Sequence, residues 1–395
     1  MPFLSGSIAF ERFRVSGDQP EQFGPEQIEI LERFASGQSQ TASAENVHVG
    51  FTAGAHLFDQ AFGLEKNIIN DALHCTVRID SNQVPAAIRK AWLQMELAAL
   101  TADDPGRRPT KTQRQEAKEA VEQRCEDEAR TGKYHKMQSF AVLWDARQSL
   151  LYFGGSGASA SEQCAALFEK AFEVELHRIT SGRLATQWAE ETQQLAELDK
   201  VAPSIFHPLH SGSDIGWLDN EPGKYDYLGN EFLLWLWWYL ESQSDTLKLP
   251  DGSEVTAMLA RTLSLECPRG ESGKETISAE SPVHLPEAAQ AIRSGKLPRK
   301  SGMTLVRHGR QYDFVLQAET FAMSAAKIQL DDDADVDVRG ALENRIDAIR
   351  SLGETLDQFF YAFCQRRINP AWSGELDRLR GWLQTGPAAL KKAAA

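Results

Sequence analysis

No pair of cysteines in this chain stands in a C-x-x-C arrangement. The five present, Cys75, Cys125, Cys164, Cys267 and Cys364, are scattered singly. An odd, dispersed set excludes a disulfide framework and predicts reduced thiols in a cytosolic compartment. Long apolar runs are missing too. The most apolar stretch, Phe232 to Leu240, is nine residues, where a membrane helix needs about 20. The N-terminal MPFLSGSIAFERFRV acquires Glu11, Arg12 and Arg14 too early for the apolar core of a secretion signal. A soluble, cytoplasmic protein with no membrane partner is the expectation. Positive charge is in deficit, with 42 Lys and Arg against 56 Asp and Glu, a net −14. Such a chain repels polyanions as a whole, so nucleic-acid binding requires segregated cations. The motifs G-x-S-x-G, H-E-x-x-H and G-x-x-x-x-G-K-[ST] are absent, and the carboxylates are too numerous for any pair to stand out as acid and base. The sequence makes no positive case for an enzyme, and no cofactor is predicted.

What is there is an alternation of strand and helix patterns over 395 residues, enough for two or three domains. Residues 5–16, 46–51 and 71–79 have strand character. From Pro85 to about Thr101 apolar residues repeat at helical spacing through Ile88, Trp92, Met95 and Ala99. A second helix is predicted from Thr112, whose T-x-x-Q with Gln115 has capping-box form. Two apolar runs within 137–153 flank Asp145-Ala-Arg-Gln148 and predict a β-hairpin, followed by a helix with Ser159 and Glu162 as its cap. Proline, glycine, histidine and aspartate dominate 201–228, which reads as a linker or irregular segment. Beyond it come a Trp-rich helix near 230–243, strands at 246–249 and 254–265, and a hairpin within 302–318 turned at His308-Gly309-Arg310. A long helix then carries Leu342, Ile346, Ile349, Leu352, Leu356, Phe359 and Phe363 on one face. Asp335 and Asp337 stand at its positive end and Arg366 and Arg367 at its negative end. The class is α+β, with antiparallel hairpins or sheets and packed helices. The predicted division is 1–200 as an N-terminal α+β region, 201–228 as linker, 229–385 as a C-terminal α+β region, and 386–395 as a frayed tail.

Three motifs suggest ligands, and each has a plainer explanation. Gly155, Gly157 and Ala160 have G-x-G-x-x-A spacing, but the preceding strand is a hairpin arm and no further parallel strand is evident past the helix, so a turn is expected rather than a dinucleotide cradle. His207 and His210 with Asp214 offer metal-ligand types in a proline-containing loop, where a solvated linker is expected. Asp331 to Asp337 mimics a calcium loop but has Val336 where glycine is required and Leu342 where glutamate is required. No metal site is predicted.

Cationic segments are more informative. Residues 293–310, RSGKLPRKSGMTLVRHGR, hold Arg293, Lys296, Arg299, Lys300, Arg307 and Arg310 and no acid. Lys111, Arg114 and Lys118 share a helix face, with Arg107 and Arg108 just ahead. Charges presented this way suit phosphate contacts that ignore base identity. The plainer alternative is a solvated basic face balanced by acids elsewhere.

Read in order, these segments resemble the bacterial recombination-associated protein RdgC family. VPAAIRKAWLQMELAAL, PTKTQRQEAKEAV and YHKMQSFAVLWDARQSLLYFGGSGASASEQCAALFEK are similar to the family's helix, second helix and hairpin-plus-helix within 84–170. EAAQAIRSGKLPRKSGMTLVRHGRQYDFVL resembles its short helix, S/A-G-K turn and hairpin, and VHVGF at 47–51 is a weaker match. The resemblance implies a non-enzymatic, sequence-independent DNA-binding protein, a ring-shaped homodimer associated with the nucleoid, which modulates recombination by restraining a recombinase's access to double-stranded and single-stranded DNA. It carries over DNA-binding roles to Lys296 and Lys300 and a dimer contact to Tyr134. The chain departs from the pattern in its extra length around 185–275 and in lacking lysine across Ala279–His284. Two alternatives remain open at this stage: a metal-dependent nuclease acting on DNA, and an adaptor that docks a protein through the Trp-rich 232–240 segment.

Overall fold

A computed structural model describes residues 3–38, 42–43, 47–101, 108–155, 157–207, 223–268, 273–328 and 337–385. The chain opens with strand β1 (Ile8–Gly17), helix α1 (Pro25–Arg33), strands β2 (Ala42–Ser43) and β3 (Val47–Thr52), a helical turn α2 (Leu64–Asn67), and strands β4 (Ile68–Ile69) and β5 (Ala72–Ser81). Helices α3 (Ala86–Leu100) and α4 (Lys111–Arg130) form a hairpin inserted before β6 (Lys136–Asp145), β7 (Leu150–Phe153), α5 (Ala158–Phe172) and β8 (Val174–Arg178). Then follow α6 (Ser181–Glu191), α7 (Leu195–Leu198) and α8 (Tyr227–Ser242). The second half runs through β9 (Thr246–Lys248), β10 (Glu254–Glu266), β11 (Lys274–Ala279), α9 (Pro286–Arg293), β12 (Leu297–Arg307), β13 (Arg310–Gln317) and β14 (Met323–Ile328), and ends in α10 (Val338–Arg367) and α11 (Trp372–Thr385).

The strands join in one sheet of order β11-β10-β12-β13-β14-β1-β7-β6-β5-β3-β2, with β4, β8 and β9 pairing alongside. The α+β class with antiparallel pairing is therefore as expected. The predicted boundary between residues 200 and 229 does not separate two cores. Strand β1 pairs with β7 and β8 through its C-terminal part and with β14 through Ile8 and Phe10, so the first strand of the chain fastens the two halves together. One apolar cluster draws Phe10, Tyr152 and Leu184 from the first half and Leu234, Phe314 and Phe360 from the second. It lies under α6, α8, α10 and α11 on one face of the sheet. A second cluster lies on the other face of the N-terminal half, where α1 and α5 bring Leu31, Cys164 and Phe168 onto Phe51, Val77 and Trp144.

Helix α8 is apolar nearly all round, and Trp235, Trp237 and Trp238 are all buried. These tryptophans are core residues, so the surface that an adaptor reading required is not on this helix. In α10, Asp337 caps the first turn by accepting from the Gly340 amide at 2.7 Å, as its position at the positive end predicts; Asp335 lies outside the described residues. After Ile368 the chain turns directly into α11, a helix the sequence reading lacked.

Two caps differ from expectation. Helix α4 starts at Thr110, which accepts from the Gln113 amide at 3.2 Å while Gln113 returns a bond to the Thr110 amide at 3.0 Å. The box is thus two residues earlier than Thr112 and Gln115, and Gln115 instead donates to Glu119. Helix α5 is entered through Gly157 with no side-chain cap, so Ser159 lies within the helix rather than before it.

Candidate nucleic-acid interface

Strands β12 and β13 place the 293–310 cations by the parity of the pleat. Odd-numbered Leu297, Met303 and Leu305 face the large core, and Arg299 and Arg307 share that face because side chains alternate along a strand. A guanidinium drawn toward the interior requires acceptors. Arg299 takes Glu319 at 2.8 Å and Glu266 at 3.1 Å. Arg307, itself buried, pairs with Asp251 and Glu354 and donates to Ser253 and Thr355. Lys296, after the turn at Gly295, is 4% exposed and paired with Glu275. Arg293 donates to the Thr385 carbonyl at 2.7 Å, locking α9 to the end of α11. The expectation that 293–310 forms one phosphate-facing set is corrected accordingly: Lys296, Arg299 and Arg307 are neutralised by carboxylates within the fold. Lys300 and Arg310 are exposed and have no ion-pair partner among the described residues.

The α3–α4 hairpin is different. Its two helices pack on each other through a small cluster of Val84, Trp92, Val121 and Cys125, with the Arg124 guanidinium 4.3 Å over the Trp92 ring. Arg108, Lys111, Arg114 and Lys118 are all exposed, and none has an ion-pair or side-chain hydrogen-bond partner among the described residues. Arg107 lies outside the described residues. Two further cations that the sequence reading missed, Arg89 and Lys90 on α3, are exposed and unpaired in the same sense; Arg89 lines one cleft with Lys118. Lys90, two residues before the buried Trp92, falls on the far side of the helix, and Arg89, three residues before it, flanks that stripe; this spacing was the signal available for them. Because α4 begins at the hairpin's far end, Arg108, Lys111 and Arg114 stand at that end without an intervening acid. Glu122, Glu126, Asp127 and Glu128 lie toward its base. Tyr134 sits at that base, half-buried against the hairpin cluster, with Lys133 Nζ 5.4 Å from its ring.

The glycine motif is resolved as a turn. Strands β7 and β8 both pair antiparallel with β1, one on each edge. A strand parallel to β7 therefore does follow the helix, contrary to the sequence reading, but β1 separates the two, and the adjacent-strand geometry of a dinucleotide fold is not formed. Gly155 is required because a Cβ there would come 2.5 Å from the Phe153 ring and 3.0 Å from that of Phe140. His210, Asp214 and residues 331–336 lie outside the described residues. Among the described residues no group of three or more His, Cys, Asp or Glu is placed to hold a metal ion, no helix is long and apolar enough to cross a membrane, and all five cysteines are buried and outside any disulfide. No family model matches the chain, and no curated protein matches it significantly.

Proposed function

We propose that this protein binds DNA without regard to sequence, as a homodimer, and modulates recombination by restraining a recombinase's access to DNA. The observation that carries the reading is the group of exposed cations on the α3–α4 hairpin without an ion-pair partner among the described residues: Arg89, Lys90, Arg108, Lys111, Arg114 and Lys118. A net charge of −14 supplies a surplus of carboxylate for cations near the body of the fold, and Arg299 and Arg307 of β12 are so neutralised. The hairpin projects its cations on side chains whose long stems reach phosphates but read no base edge. The resemblance to the RdgC family, densest over 84–170, adds the dimer, the nucleoid location and the recombination role. With these assignments the DNA contacts move from the β12 segment to the hairpin, while Lys300 and Arg310 remain available as auxiliaries.

Mobility shifts on unrelated duplexes across a salt series test the proposal. Log K is expected to fall linearly with log salt, and the combined variant Arg108→Glu, Lys111→Glu, Arg114→Glu, Lys118→Glu is expected to flatten the slope by about 0.9 per lost phosphate contact, equally for all sequences. No shift at low salt, or a sequence preference, overturns it. Cleavage appearing only with magnesium or manganese would replace it with the nuclease alternative, and sedimentation equilibrium tests the dimer.

A further inference from the structure

The sheet divides along one edge of β1. Strand β14 pairs there with Ile8 and Phe10, and β8 pairs with Phe13 to Gly17. Where β14 and β8 part, a cleft of about 290 Å³ opens, lined among others by Phe10, Glu11, Gly155, Arg178, Lys300 and Gln317. It joins residues from both halves of the chain, and the committed cations of the core are not in it.

Its charges are unequal. Glu11 is 2% exposed and already engaged: Arg178 Nε donates to it at 2.9 Å and Ser161 Oγ at 3.2 Å. Those same partners fix the Arg178 guanidinium, whose Nη2 also reaches Glu11 and Ser161. Its Nη1 has no acceptor among the described residues. Lys300 stands on the even-numbered, outward face of β12, exposed and without an ion-pair partner among the described residues. The cleft thus holds two cations against one carboxylate that is spoken for, leaving an uncompensated positive charge beside low-dielectric walls. One fixed N–H donor plus one mobile ammonium does not make the two-toothed fork that grips a planar carboxylate. It suits a tetrahedral group with several equivalent oxygens, which a guanidinium nitrogen and a point charge can approach from different sides.

We propose that this seam cleft binds a phosphoryl group, with Lys300 and Arg178 as its cations. The group is carried either by a nucleic-acid backbone, in which case the inference rests on the DNA-binding reading, or by a free phosphate or phosphate ester, in which case it does not. Lys300→Gln is the primary variant because Lys300 is exposed; Arg178→Gln would strand the buried Glu11 and is avoided.

Calorimetric titration of the full chain with inorganic phosphate, at constant ionic strength against chloride, is expected to show saturable binding. Lys300→Gln should weaken it about tenfold, the scale of one hydrogen bond to a charged group, and Lys300→Arg should restore it. In the second arm, duplex affinity is measured with and without phosphate. If phosphate competes with duplex for the wild type and less so for Lys300→Gln, the bound group belongs to DNA. If phosphate binding depends on Lys300 but duplex affinity does not, the cleft takes a free phosphate, and the inference stands even if DNA binding is absent altogether. Absence of saturable phosphate binding, or equal phosphate binding by wild type and Lys300→Gln, overturns the inference, while loss of duplex binding in the hairpin variant would still uphold the DNA reading.

Discussion

His74 offers a direct test of how this fold pays for a buried titratable group. It lies on β5 with no exposed surface, against Gly54, whose hypothetical Cβ would stand 3.0 Å from the imidazole ring. Neither ring nitrogen meets a partner among the described residues. Desolvation by burial is the largest cause that lowers its pKa from 6.5 to about 4, and the positive charge of Lys66 adds to it. The folded state therefore binds this proton less readily than the unfolded state, so the stability tied to neutral His74 is fully present above pH 6.5 and is lost as pH falls toward 4. With those two pKa values, linkage gives a loss of about 2 kcal/mol by pH 5 and about 3 kcal/mol by pH 4. His74→Leu removes the titration and both unpartnered nitrogens while keeping an apolar side chain of similar size. Urea denaturation of wild type and variant between pH 8 and pH 4 should show near-equal stability at the upper end and a widening advantage for the variant below pH 6. Parallel curves, with a gap that does not change with pH, would refute the reasoning, since every other titrating group is common to both proteins.

Two further perturbations probe how the elements are fastened. Arg12, 1% exposed, clasps Asp357 of α10 through bonds of 2.8 and 2.6 Å; Asp357→Ala strands a buried guanidinium and should cost about 3–5 kcal/mol in urea denaturation, whereas Arg12→Met with Asp357→Leu should recover most of that. A double variant as unstable as the sum of the singles would show that burial of charge is not the cause. Gly229 on α8 approaches the strand connection so closely that a Cβ would lie 1.8 Å from the Ala318 carbonyl oxygen, and Gly229→Ala should lose about 1–3 kcal/mol by thermal or urea unfolding. Gly374→Ala in α11, where a Cβ meets nothing within 4 Å, should be neutral or stabilising by helix propensity; equal losses at the two sites would contradict the packing argument.

Elements governed by local patterns were legible in advance. The α3–α4 pair, the β6–β7 hairpin, the β12–β13 hairpin turned at His308 and Gly309, and the long α10 all have their signals within a few residues of themselves: helical spacing, alternation, turn residues, a capping aspartate. Strands β8, β11 and β14 and helices α6 and α11 had weak signals of their own and exist because the sheet edge or the core supplies partners. The candidate site divided in the same way. Lys111, Arg114 and Lys118 could be placed on one exposed helix face from spacing alone. The fate of the 293–310 cations was half-visible, since alternation with Leu297, Met303 and Leu305 put Arg299 and Arg307 on the core side.

By itself, then, the order of residues determined the strongly patterned segments, the class and the acid surplus, because these depend on composition and on neighbours along the chain. Which cations remain free was decided only on folding. Glu354 and Asp251 reach Arg307 from 47 and 56 positions away, and Arg12 finds its carboxylate 345 positions along. A charge is silenced by whatever lies within a few ångströms of it, and for both arginines that neighbourhood includes a carboxylate brought in by the packing of α10 on the sheet.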